Sequence, residues 1–295
     1  MTDRRRIVHP TGTSAGRQGV CDERPKKCDE AQNRGKGEGK GLAQLKGIQG
    51  REKKRYDLSM SDLAAVRRQF VNFGFYKVDP AWRRLPKPER DRGREEFRQV
   101  VEAFHGRDNL LIVPYSTMGI RGDCDFMLWR IGFRLEPLQE MGAKLLASGL
   151  GTYLTVPYSY LSMTKRSMYI DHHVHEGQEG ARAKIVPGKS KYLFVYPMVK
   201  LRPWYRMPFE ERQRIMDEHI TTGHKYPSVK INTTYSFGLD DQEFVVAFEG
   251  DKPEDFLDLV QELRGSESSA YTERETPIFT CVRRSIEEVL DLLGG

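Results

Sequence analysis

The chain has 295 residues, 38% of them hydrophobic and 10% aromatic, with a formal net charge of +6; this suffices for one large core or two smaller ones. Residues 1–55 hold 15 Lys and Arg against 7 Asp and Glu and the remainder 33 against 35, so the basicity belongs to the tail and gives the body no nucleic-acid footprint. No apolar run reaches the ~18 residues of a membrane span, and the start lacks the apolar stretch of a secretory signal, so a cytoplasmic protein is expected.

Residues 1–60 form a basic tail, rich in Gly, Lys, Arg and Gln and nearly free of aromatics. Such a composition buries too little apolar surface to offset its ordering entropy and predicts disorder. From there the pattern changes. Phe70 to Val78 is expected as a strand, and Pro86 to His105 as a charged amphipathic helix with Phe97, Val100, Val101 and Phe104 on one face. Leu110 to Tyr115 and Cys124 to Ile131 follow as strands joined by a glycine-containing turn. Leu135 to Leu150 is a helix with a Leu/Met/Ala stripe, and Tyr158 to Met163 a closing strand. The order then recurs: strand Lys191 to Met198, helix Phe209 to Thr222, a hairpin of Val229 to Phe237 and Glu243 to Glu249, helix Pro253 to Arg264, strand Pro277 to Val282 and a short last helix. Two successive β-α-β-β-α-β units imply an α+β fold of two ferredoxin-like halves, at 67–164 and 189–295. Residues 165–188 have few apolar anchors and are expected as a long connecting loop.

Seven histidines offer candidate ligands. His9 lies in the tail; His172, His173 and His175 form a cluster in a polar loop, where solvation is the commoner state. His105 ends a helix, where a cation suits the macrodipole. His219 lies three residues after Met216 and four after Ile215, on the partly apolar side of its helix. Spacing alone leaves it a packed residue or a ligand, with His224 as competitor. Tyr192, Phe194 and Tyr196 alternate on one strand face, as core aromatics or as a wall holding a redox phenol. Of the four cysteines, Cys21 and Cys28 lie in the tail without zinc-knuckle spacing. Cys124 and Cys281 sit in apolar runs and are expected to be buried thiols.

The segment Tyr196-Pro197-Met198-Val199-Lys200, followed by Trp204-Tyr205, by Met207-Pro208-Phe209-Glu210-Glu211-Arg212-Gln213 and by a helix bearing His219, resembles the coproheme decarboxylase branch of the chlorite dismutase-like haem proteins. The resemblance runs from about Phe70 to Arg283. It implies two ferredoxin-like halves of the dimeric α+β barrel type in one chain, with the haem site in the second. It also implies conversion of iron coproporphyrin III (coproheme) to haem b by oxidative decarboxylation, with hydrogen peroxide as oxidant. By the same resemblance His219 is the proximal iron ligand, and Tyr196 becomes a radical that takes hydrogen from a propionate. Lys200, Arg182, Arg264 and Ser269 anchor carboxylates, a role suited to the charge and fork of arginine, with Tyr158 a weaker candidate; Trp204 shapes the pocket. A homopentamer and transient contact with a ferrochelatase are implied as well. Two departures stand out. Where chlorite dismutases carry a distal arginine, and some decarboxylases a glutamine, this chain has Ile231, with Asn232 as the alternative match; without the arginine, chlorite decomposition is not expected. The segment between Lys200 and Trp204 is also shorter. A haem carrier with incidental peroxidase activity is the rival reading, and the Tyr196/Lys200 pair weighs against it.

Overall fold

Side-chain alternation sets the architecture from the first strand. In β1 (Phe70–Val78), Val71, Phe73 and Phe75 join one buried cluster while Tyr76 and Val78 join another, as the period of two requires. The computed structural model describes residues 67–169 and 184–294, all within one compact unit, Ser59–Gly295. The basic tail, His172, His173, His175 and Arg182 lie outside the described residues.

The first unit continues with α1 (Lys87–Phe104), β2 (Leu111–Ser116), β3 (Phe126–Gly132), α2 (Glu136–Ala147) and β4 (Leu154–Met163). The second comprises β5 (Tyr192–Lys200), α3 (Arg202–Arg206), α4 (Phe209–His224), β6 (Lys230–Tyr235), β7 (Phe244–Gly250), α5 (Pro253–Arg264), β8 (Thr272–Arg274), β9 (Phe279–Arg283) and α6 (Ile286–Leu292). Each unit contributes four antiparallel strands, in the orders β4-β1-β3-β2 and β9-β5-β7-β6. Tyr115 and Ser116 of β2 pair with Arg283 and Val282 of β9, and Met163 of β4 pairs with Tyr235 of β6. These two junctions close the eight strands into a ring, so an α+β barrel of two ferredoxin-like halves is what forms. The β4–β6 junction is short, and side chains reinforce it. Gly238 turns the β6–β7 loop at a φ of 71°, a conformation that glycine adopts without steric cost. Nearby, the Asp240 carboxylate accepts from the Leu161 backbone N–H at 2.7 Å.

Three cores follow from the ring. Its interior holds Phe73, Phe75, Trp129 and Phe279, all fully buried, each worth about 2–3 kcal/mol of burial. Cys124 and Cys281 are buried there as free thiols. Outside the first half, α1, α2 and α6 cover Tyr76, Phe126 and Leu128. Outside the second, α5 covers Phe194, Tyr196 and Phe248, with Phe194 stacked on Phe256 at 4.0 Å between centroids. Pattern reading misses α3 and β8, because five and three residues are too few to show a period. It also ends α2 late, where a short 3-10 turn leads into β4. His105 follows α1 as its C-cap residue, and its Nδ1 lies 3.3 Å from the Ile112 backbone N–H.

Candidate active site

The outer face of β5, β7 and β6 is a wall whose rows are set by register. Tyr196 pairs with Val246 and Val246 with Thr233; Phe194 pairs with Phe248 and Phe248 with Ile231; Met198 pairs with Phe244 and Phe244 with Tyr235. The wall is covered at its β5 side and open at its β6 side: Tyr196 is 8% exposed and Ile231 47%. Strand parity also separates Ile231 from Asn232. Asn232 is buried on the opposite side of the sheet, where it donates to Glu249 at 2.9 Å. Ile231 therefore holds the wall position.

Tyr196 stacks on Phe248 at 5.9 Å. Burial pushes its phenol up to about 12, an effect tempered by the nearby Arg264 charge, so Tyr196 is a protonated phenol at neutral pH. Arg264 ends α5 and pairs with Glu275.

Lys200, four residues along the same strand and about 13 Å from Tyr196 at ~3.3 Å per residue, is buried. Its Nζ donates to the Ser268 carbonyl at 2.7 Å and to Thr272 Oγ1 at 3.1 Å, and it lies 5.0 Å from the centre of the Trp204 ring. Burial pulls the ammonium down to about 8. The short helix α3 positions Trp204, which is itself buried and packed against Tyr169 and Tyr271. At the start of this segment the buried Glu243 carboxylate accepts from the Lys200 backbone N–H, from the Tyr205 hydroxyl and from Arg202.

His219 reaches the same cluster from α4. Its Nδ1 lies 3.0 Å from Ser268 Oγ. Burial pulls the imidazole down to about 4, and the Lys200 charge pushes the same way, so the ring is neutral at pH 7 and fit to ligate a metal. Ser268 thus holds Lys200 through its carbonyl and His219 through its hydroxyl. Ser269 is the adjacent, partly buried residue on the same 3-10 turn.

The structure brings Tyr196, Lys200, Trp204, His219, Arg264, Ser269 and Ile231 to this wall or the turn beside it. Tyr158 stands apart: it packs against the barrel-interior cluster and donates to Asp123 at 2.7 Å, beside the Arg121–Asp123 ion pair. Sequence reasoning leaves the partner of His219 unnamed, and the structure supplies Ser268. Only the serine richness of Ser266-Glu267-Ser268-Ser269 hints at it. Among the described residues, no group of three or more His, Cys, Asp or Glu is placed to hold a metal ion, and no helix is long and apolar enough to cross a membrane. Two surface clefts, of about 420 and 640 Å³, lie elsewhere, against α1 and α2 and against β2 and α6.

The family model for chlorite dismutase matches residues 90–284. The chain belongs to the chlorite dismutase family. It is 32% identical, over 177 residues, to the coproheme decarboxylase of Mycolicibacterium smegmatis, covering 60% of this chain and 74% of that one. A variant chlorite dismutase of Candidatus Nitrospira defluvii superposes with a TM-score of 0.69 at 24% identity, covering 77% and 96% of the two chains, a likeness of fold. A haem-binding protein of Thermus thermophilus superposes with a TM-score of 0.68 at 27% identity, covering 78% and 96%.

Proposed function

We propose that this member of the chlorite dismutase family is a coproheme decarboxylase, an oxidoreductase that converts two propionates of iron coproporphyrin III to vinyl groups with hydrogen peroxide. Each conversion balances as propionate plus peroxide plus one proton giving vinyl, carbon dioxide and two waters. One observation carries the reading. A buried, protonated phenol, Tyr196, shares its strand with Lys200, and Lys200 is joined through Ser268 to the neutral imidazole of His219.

The donor set suits an iron porphyrin. A single imidazole with one nitrogen occupied offers the other to iron. An apolar wall of Met198, Phe244 and Ile231 suits a macrocycle, and the charges of Lys200 and Arg264 suit carboxylates. Arg182 and Ser269 complete the propionate anchors in this reading; Tyr158, turned into the barrel interior toward Asp123, takes no part in it. The bound iron, with peroxide, supplies the oxidising power. Tyr196 would give its hydroxyl hydrogen to the peroxide-derived oxidant and recover one from a propionate β-carbon; the carbon radical left behind loses a second electron to the same oxidant as its carboxylate departs as carbon dioxide, once for each vinyl group formed. The high proton affinity of Tyr196 favours return of the O–H bond over release of a phenolate. Trp204 closes over Lys200 and keeps the ammonium out of water, which strengthens its pull on an incoming carboxylate.

Ile231 disfavours chlorite decomposition, since a branched alkyl stands where a distal cation would serve oxygen–oxygen chemistry. The same reading carries a homopentameric, cytoplasmic enzyme supplied by an iron-inserting ferrochelatase; light scattering on the purified protein tests the pentamer.

The test is anaerobic titration of the protein with ferric coproporphyrin III, then stepwise peroxide with chromatography of the porphyrins. Conversion to haem b in the wild type, lost in Tyr196→Phe while binding persists, supports the assignment. Tight porphyrin binding without conversion in the wild type would refute it in favour of a carrier.

A further inference from the structure

His219 Nδ1 is the end of a chain of hydrogen bonds whose directions can be worked out. Ser266 Oγ lies 2.7 Å from the Leu263 carbonyl. A carbonyl only accepts, so the single hydroxyl hydrogen of Ser266 is used there. Ser266 Oγ and Ser268 Oγ are 3.2 Å apart; for this contact to be a hydrogen bond as well, Ser268 must be its donor, because the Ser266 hydrogen is committed. All three contacts are satisfied at once in one arrangement, in which Ser268 Oγ accepts from His219 Nδ1–H at 3.0 Å. Both serines are buried, so water does not readily reset the order. The backbone of the turn is held independently, because Lys200 Nζ donates to the Ser268 carbonyl and the Ser269 N–H to the Ser266 carbonyl.

We propose that Ser266 and Ser268 are positioning residues that lock His219 as the Nδ1–H tautomer, leaving the lone pair on Nε2 as the only nitrogen donor available to iron. The acceptor at Nδ1 is a neutral hydroxyl, itself a donor to the next serine. It draws less charge into the ring than a carboxylate would, so His219 binds iron as an ordinary neutral imidazole and not as an imidazolate-like ligand. A weak proximal bond suits a protein whose iron porphyrin is substrate and must leave as product. This inference rests on the functional reading above for its iron, but not for its tautomer.

The experiment separates the two. In the metal-free protein, long-range ¹⁵N–¹H correlation spectra of selectively labelled histidine report which ring nitrogen of His219 carries the hydrogen. The wild type is expected to show Nδ1–H. Ser268→Ala should shift the tautomer ratio roughly tenfold toward Nε2–H, the size of one lost net hydrogen bond. Ser268→Thr should restore the wild-type state, and Ser266→Ala, which frees the Ser268 hydroxyl to turn, should give an intermediate shift. An Nε2–H wild type, or a Ser268→Ala protein with an unchanged ratio and native circular dichroism, would overturn the relay. With ferrous coproporphyrin III added, the iron–histidine stretching band should lie at a neutral-imidazole frequency and move to higher frequency in Ser268→Asp. A band unaffected by His219→Ala would overturn the ligand role while leaving the apo tautomer result to stand on its own.

Discussion

Replacing His219 by glutamine tests whether the imidazole is held neutral in the folded protein. A histidine free in the unfolded chain titrates near 6.5, whereas burial beside Lys200 brings His219 down to about 4. Between those values the unfolded state binds a proton that the folded state refuses, so stability falls as pH drops through 6.5 and levels out below 4. The gap corresponds to about 3 kcal/mol in full at ~1.36 kcal/mol per unit, and the part expressed between pH 7 and pH 5 is about 2 kcal/mol. Partial solvent contact of the residue makes these upper values. Urea denaturation of the apo protein at about pH 7, 6 and 5 reads the effect directly. Wild type should lose about 2 kcal/mol more than His219→Gln across that range. Parallel losses in the two proteins would refute the neutral-imidazole argument, whatever the protein turns out to bind. The same shift implies that protons compete weakly for Nε2, so iron ligation should persist to about pH 5.

Lys200 is brought down to about 8 by burial, so its charge is lost as pH rises through that value. Affinity for ferric coproporphyrin III should fall by ten- to a hundredfold between pH 7 and pH 10 in the wild type, the size of one charge-assisted contact of about 1.5–3 kcal/mol, and should be flat in Lys200→Met. Parity on β6 makes Ile231→Arg cheap, within about 0.5 kcal/mol as a surface change, whereas Asn232→Arg buries a charge inside the ring and should cost about 3 kcal/mol or more; thermal denaturation distinguishes them, and equal losses would contradict the assigned faces. Glu249 is buried and accepts from the Gly188 N–H, Lys230 Nζ and Asn232 Nδ2. Glu249→Ala should therefore cost about 3–5 kcal/mol by stranding those donors, read as a shift of the urea midpoint.

Much of the scaffold is legible in the residues alone. The alternation of Phe70 to Val78 and the apolar stripe of Pro253 to Arg264 correspond to β1 and α5, because strand and helix periods arise from local backbone geometry. The order of these elements is enough for two β-α-β-β-α-β halves, and the Tyr196-Pro197-Met198-Val199-Lys200 motif falls on the wall that carries the candidate site. Ring closure is another matter. It rests on the pairing of Tyr115 with Arg283 and of Met163 with Tyr235, contacts between residues far apart in the chain, which no local pattern encodes. The choice between Ile231 and Asn232 likewise awaited the register of β6 on β7, since a slip of one residue exchanges the two faces of a strand. Tyr158 has the residue type of a site tyrosine, but its strand turns it toward Asp123 on the barrel-interior side. Ser268 was hidden for the same reason: it meets His219 across 49 residues of sequence, from a turn too short to show any period. Local sterics and periodicity determine which elements form; long-range pairing alone decides which side chains meet.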